Sequence, residues 1–128
     1  MPTPIPPPDS HYISLTQFQE WKARYSQNTD TILAPAYQGK NILATSELFN
    51  VEAISALVAV PGCAAIRIYY GMDTDLNVHA MLVAADKNGI DILPPDGAAV
   101  SGTGANFSKN PGDPPIVEDG QRCPPFCP

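Results

Sequence analysis

Apolar residues recur along this chain with two periods, first helical and then alternating. Leu15, Phe18, Trp21 and Tyr25 stand at near-helical spacing and form one apolar stripe, while Glu20, Lys22 and Arg24 face elsewhere. Ser14 precedes the stripe and Gln17 lies three residues on, the pattern of a capping box. The spacing predicts a helix over residues 15–26. Residues 27–45 predict no regular element, because Asn28 to Thr31 is polar and Pro35 and Gly39 interrupt the chain. Ser46 or Asn50 then caps a second helix. Leu48, Val51, Ile54, Leu57 and Val58 supply its expected buried face, and Pro61-Gly62 stops it.

The pattern then shortens. Ala64 to Tyr70 is rich in β-branched and aromatic residues and reads as a strand. Gly71 to Asp75 is a polar turn, and Asn77 to Ala85 is a second strand. Asp86-Lys87-Asn88-Gly89 is a hairpin turn, because Asn and Gly accept the positive φ it needs. Ile90 to Leu93 is a short third strand. The expected fold is α+β: two helices packed on one face of a three-stranded antiparallel meander.

Proline placement sets the boundaries of that domain. Of fifteen prolines, five lie within Met1 to Pro8 and six within Pro111 to Pro128. A proline fixes φ and lacks a backbone donor, so both ends read as extended arms. Residues 1–10 are expected to be a proline-rich arm, 11–95 the globular domain, and 96–128 a Gly/Pro-rich arm ending in a cysteine pair. Asp96 to Asn110 is Gly-, Ala- and Ser-rich and reads as a linker.

Charge narrows the partners. Seven basic residues stand against thirteen acidic ones, a net charge of −6. The basic residues are scattered, so no patch can neutralise a run of phosphates, which excludes nucleic acid and anionic membrane surfaces as expected partners. No apolar run approaches the ~20 residues of a membrane span. The N-terminus lacks a basic region followed by an apolar one. A cytoplasmic location is therefore expected, with a processed mature form or non-classical export as the alternatives.

Candidate chemistry centres on three cysteines, Cys63, Cys123 and Cys127. Together with His79 they would offer zinc three thiolates and one imidazole. The alternative for Cys123 and Cys127 is a disulfide, and for Cys63 a small buried apolar residue. Hairpin register separates His79 from Cys63 along the sheet, which weakens the four-residue metal set. It weakens equally a Cys-His hydrolase with Cys63 as nucleophile, His79 as base and Asp91 as orienting carboxylate. Asp73-x-Asp75-x-Asn77 has the opening of a calcium loop, but Val78 and Ala84 replace its glycine and glutamate, so a polar turn fits better. Gly102-Thr-Gly104 lacks the lysine of a phosphate loop. Arg67, Tyr69 and Tyr70 are the residues of a binding face or of an ordinary half-exposed strand.

Four motifs carry a resemblance to a family. They are Ile13-Ser14-Leu15, the stretch Gly62-Cys63 through Ile66-Arg67-Ile68-Tyr69-Tyr70-Gly71, the Leu82-Val83, Asp86, Gly89, Asp91 hairpin, and Cys123-Pro-Pro-Phe-Cys127. In these the chain resembles a family of small bacterial proteins with no established activity. The resemblance implies the same fold boundaries, and that Cys63 and the tail cysteines belong to one design.

No acid–base pair, phosphate loop or complete metal cage emerges, so a non-catalytic, cofactor-free function is expected. Pro6, Pro7, Pro8, Pro114, Pro115, Pro124, Pro125 and Phe126 are the expected interaction residues. Stiff proline segments lose little entropy on docking to an aromatic groove or a neighbour's sheet edge. The expected partner is another copy of the chain or another protein, in an oligomer or filament. A metal- or redox-responsive binding protein that uses Cys123 and Cys127 is the alternative.

Overall fold

The computed structural model describes residues 5–95 and 114–128. The expected linker with Gly102 and Gly104, and the first four residues of the N-terminal arm, lie outside the described residues. The class is α+β: two helices, a three-stranded antiparallel sheet and a small two-stranded sheet. The elements are α1 (Leu15–Asn28), β1 (Ser46–Leu48), α2 (Val51–Val58), β2 (Ala65–Met72), β3 (Val78–Ala85), β4 (Asp91–Ile92) and β5 (Gln121–Cys123). They divide into two compact units. A core unit takes Phe49–Tyr70 and Ala80–Asp119, and a disulfide unit takes Pro6–Leu48, Gly71–His79 and Gly120–Pro128.

In the core unit, the Asn50 side chain accepts from the Glu52 N–H at 2.8 Å and starts α2. Gly62, at φ +83°, carries the turn that ends it. Leu57 is completely buried against Val60, Leu82, Ala84 and Val117, with Ile54, Ile66 and Ile92 packed on that cluster. Burying a leucine in this way stabilises the fold by about 1.5–3 kcal/mol. The expected face of α2 is only partly correct, because Leu48, Val51 and Val58 are exposed. The helix is eight residues long, too short to bury more than a narrow stripe.

The sheet order is β2-β3-β4, as the meander requires. The predicted turn between β3 and β4 is present. Asp86 Oδ1 accepts from the N–H groups of Asn88 and Ile90, and Gly89 sits at φ +75°. β4 is shorter than expected, and the sheet continues beyond it from a distant source. Leu82 and Val117 exchange backbone hydrogen bonds of 2.7 and 2.9 Å.

In the disulfide unit, the Ser14 side chain accepts from the Gln17 N–H at 3.0 Å and caps α1, which runs two residues past its predicted end. The Asn28 side chain closes that end by donating to the Arg24 carbonyl at 2.7 Å. The stripe forms as predicted but stays in solvent: Leu15, Phe18 and Trp21 are 69%, 51% and 59% exposed. Tyr25 anchors the helix by donating its hydroxyl to the Ala44 carbonyl at 2.7 Å. Periodicity specifies which side chains share a face, not what that face meets.

The arms also differ from expectation. Pro7 is extended, but Pro8–His11 forms a 3-10 turn in which the Ser10 hydroxyl donates to the Pro7 carbonyl. The C-terminal arm supplies β5, antiparallel to β1, with Ser46 opposite Cys123, Glu47 opposite Arg122 and Leu48 opposite Gln121. Ser46 is thus a strand residue, not a helix cap. The reason lies in composition: Ile116 to Cys123 contains no proline, so every residue there keeps a backbone donor.

Candidate functional site

The densest set of ionisable side chains lies in the disulfide unit, around His79. Asp73 begins it. Its Oδ1 accepts from the Asp75 and Asn77 N–H groups at 2.9 and 3.0 Å, which folds the β2–β3 turn. Its Oδ2 lies 2.7 Å from His79 Nε2. The hydrogen bond to His79, then that from Asn77, holds the Asp73 carboxyl below its ordinary range. The calcium-loop pattern is therefore a turn whose first carboxylate is occupied by its own backbone and an imidazole.

On the other edge of the ring, His79 Nδ1 lies 3.7 Å from Glu47 Oε1, beyond hydrogen-bonding range. Glu47 stands opposite Arg122 in the β1–β5 pair. Arg122 Nη2 donates to the carbonyls of Asn41 and Ile42 at 2.8 and 3.0 Å. Burial raises the pKa of the nearby Tyr25, and the Arg122 charge opposes that shift. Three segments of chain converge here through Asp73 and His79, Glu47, and Arg122. A ring with a carboxylate at each edge is well held, and this arrangement clamps the segments together.

The cysteine pair closes the same unit. Cys123 and Cys127 are joined by a disulfide. Thr45 holds the Cys123 end. Its N–H and its hydroxyl donate to the Cys123 carbonyl at 2.8 and 3.0 Å, and the hydroxyl lies 3.2 Å from the Cys123 sulfur. Cys123 is buried and Cys127 exposed.

The core unit holds a second polar set. Arg67 Nη1 pairs with Asp91 Oδ1, and Arg67 Nη2 donates to the Gly89 carbonyl at 2.9 Å. The Tyr69 hydroxyl donates to Asp91 Oδ2. The Asp91 charge raises the pKa of Arg67, and the hydrogen bond to Asp91 raises that of Tyr69. Asp91 is thus engaged by Arg67 and Tyr69 and not by His79. Cys63 is a free thiol that donates to the Ala65 carbonyl at 3.4 Å and packs beside the Leu57 cluster.

Of the four candidate zinc ligands, the structure brings Cys123 and Cys127 together as a disulfide, gives His79 to Asp73 and Glu47, and gives Cys63 a backbone partner. Among the described residues no group of three or more His, Cys, Asp or Glu is placed to hold a metal ion. Of the interaction residues, Pro6, Pro7, Pro8, Pro125 and Phe126 are exposed, and Pro114, Pro115 and Pro124 are half-buried. Glu47 and Arg122 carried no local signal, because they meet only through a strand pairing across most of the chain. The Asp73-to-His79 pair did have one: an Asx turn aims a carboxylate at the strand that follows. No helix among the described residues is long and apolar enough to cross a membrane. A scan against protein-family models and searches of curated proteins and of solved structures found no match.

Proposed function

We propose that the protein is a non-catalytic interaction module that assembles with copies of itself or with another protein. The observation that carries this is the solvent-facing stripe Leu15, Phe18 and Trp21 on α1. Contiguous apolar surface of this kind on a folded chain marks a contact surface. The exposed N-terminal prolines Pro6, Pro7 and Pro8 lead directly into that helix and extend the surface.

Light scattering after size exclusion tests it. The expected mass exceeds the 13.6 kDa of one chain. It falls toward that value in Phe18→Ser with Trp21→Ser, and on deletion of residues 1–8, while circular dichroism stays unchanged. An unchanged mass in both variants overturns the role of the helix and the arm. Deletion of 111–128 is not equivalent, because it also removes β5 and Val117.

The disulfide favours a second reading, a redox-responsive binding protein. An external dithiol would pass two electrons and two protons to the Cys123–Cys127 bridge, giving two thiols and an oxidised partner. The reduced pair could then take a soft metal such as zinc. Partner binding that is the same in oxidising and reducing buffer, with and without chelator, removes this reading.

A further inference from the structure

Among the described residues, the three-stranded sheet has one short, proline-ended side and one open side. On the β4 side, two residues of strand lead into Pro94-Pro95, and Val117 takes up both backbone bonds of Leu82. On the other side β2 is the edge strand. Among the described residues, no backbone group from outside the sheet bonds to Ala65–Tyr70. Natural edges are commonly blunted by proline, lysine or an unpaired inward charge. This one has none of these: its single charge, Arg67, is matched by Asp91 and the Gly89 carbonyl. Its side chains alternate, with Ile66, Ile68 and Tyr70 on one face and Arg67 and Tyr69 on the other. Ile66 packs on the core, whereas Ile68 and Tyr70 are 51% and 79% exposed.

We propose that this edge docks a second copy of the chain, the Ala65–Tyr70 segments of two copies pairing antiparallel about a twofold axis at Ile68. The proposal rests on the interaction reading above, names a second copy as the partner and adds a contact surface separate from the α1 stripe. An open edge asks for a strand with free N–H groups. Pro6, Pro7, Pro8, Pro114 and Pro115 have none, and Gln121–Cys123 is already paired with Ser46–Leu48. The described segment that matches the edge in length and donors is β2 itself.

Charge selects the register. Directly opposite residues in an antiparallel pair share a face, so self-pairing must centre on a residue. Centring on Arg67 would set two guanidinium groups against each other. Centring on Tyr69 would bring together two phenols that each hold an Asp91 carboxylate. Centring on Ile68 sets Ile68 against Ile68, Ile66 against Tyr70, and Arg67 against Tyr69. Apolar then meets apolar, and a cation meets a ring carrying a carboxylate. Because β4 has only two residues and runs into Pro94-Pro95, this sheet contact closes at two copies with a continuous six-stranded sheet, not a filament.

The test uses the full chain with Cys63→Ala. Light scattering over a concentration series is expected to show twice the 13.6 kDa mass. Ile68→Lys, which sets two ammonium groups opposite each other, is expected to raise the dimer dissociation constant at least about tenfold. Ile68→Cys is expected to form a covalent dimer on oxidation, because opposite Cα atoms lie within disulfide range. Glu52→Cys, on exposed α2 surface, should form no covalent dimer under the same oxidation. If Ile68→Lys fails to fold by circular dichroism, the cross-link decides alone. An oligomer that ignores Ile68→Lys, fails to cross-link at Ile68 and dissociates in Trp21→Ser overturns the β2 edge and leaves the interaction reading standing. A monomer in every form at all concentrations overturns the β2 edge and self-assembly together.

Discussion

In the core unit, cohesion comes from side chains without charge: Leu57 and Ala84 are completely buried, and Val60, Leu82 and Val117 nearly so. In the disulfide unit only Ile42 and Cys123, among the described residues, reach that degree of burial. That unit relies on a covalent bridge, a strand pair, helix caps and the Asp73–His79–Glu47–Arg122 clamp. The contrast teaches what each is sensitive to. Apolar packing tolerates pH and reductant but not lost volume. A unit with little core responds to redox state, proton activity and single hydrogen bonds.

The largest expected effect breaks the core unit. Leu57→Ala should cost about 2–5 kcal/mol, the range for a fully buried leucine that leaves a cavity, read from the urea midpoint. Next comes the bridge. Loop closure over so few residues is worth ~2 kcal/mol in the chain-entropy model. Reduction or Cys127→Ser should therefore speed amide exchange at Thr45 and Val78 in the disulfide unit. Exchange at Leu82 and Val117 in the core unit should not change. Equal acceleration in both would erase the contrast.

A smaller effect belongs to α1. With its stripe in solvent the helix depends on local terms, so Ser14→Ala should cost about 1 kcal/mol and reduce helical circular dichroism. The smallest is a pH effect. The Asp73 carboxyl is depressed from 3.8 in the folded chain. Its contribution is therefore fully present above that value and is lost as pH falls through the lower, folded pKa. His79→Gln should move the Asp73 titration, followed by carboxyl NMR, upward toward 3.8 and narrow this acid-labile window. A titration that does not move would show that the backbone N–H groups of Asp75 and Asn77 dominate.

Much of the fold was legible, and the legible parts share a length scale. The Ser14 and Asn50 caps, the Asp86 turn and the two long strands all depend on partners within a few residues. The candidate site was legible only in fragments. Asp73 stood out for a metal it is not arranged to bind. Arg67 and Tyr69 were noticed as one face and Asp91 separately as an orienting carboxylate, and the structure joins them. Glu47 and Arg122 gave no signal.

By itself, then, the sequence determined helix phase, strand alternation, turn chemistry and the two thiols four residues apart, because those follow from local sterics and short-range hydrogen bonding. Only the tertiary structure decided that the C-terminal arm pairs with β1, that Thr45 meets Cys123 across 78 positions and Arg122 meets Asn41 across 81, and that among the described residues the α1 stripe is exposed and β2 is an edge strand. Contacts at that separation depend on which loops the whole chain can close at once, a property that no window of neighbouring residues contains.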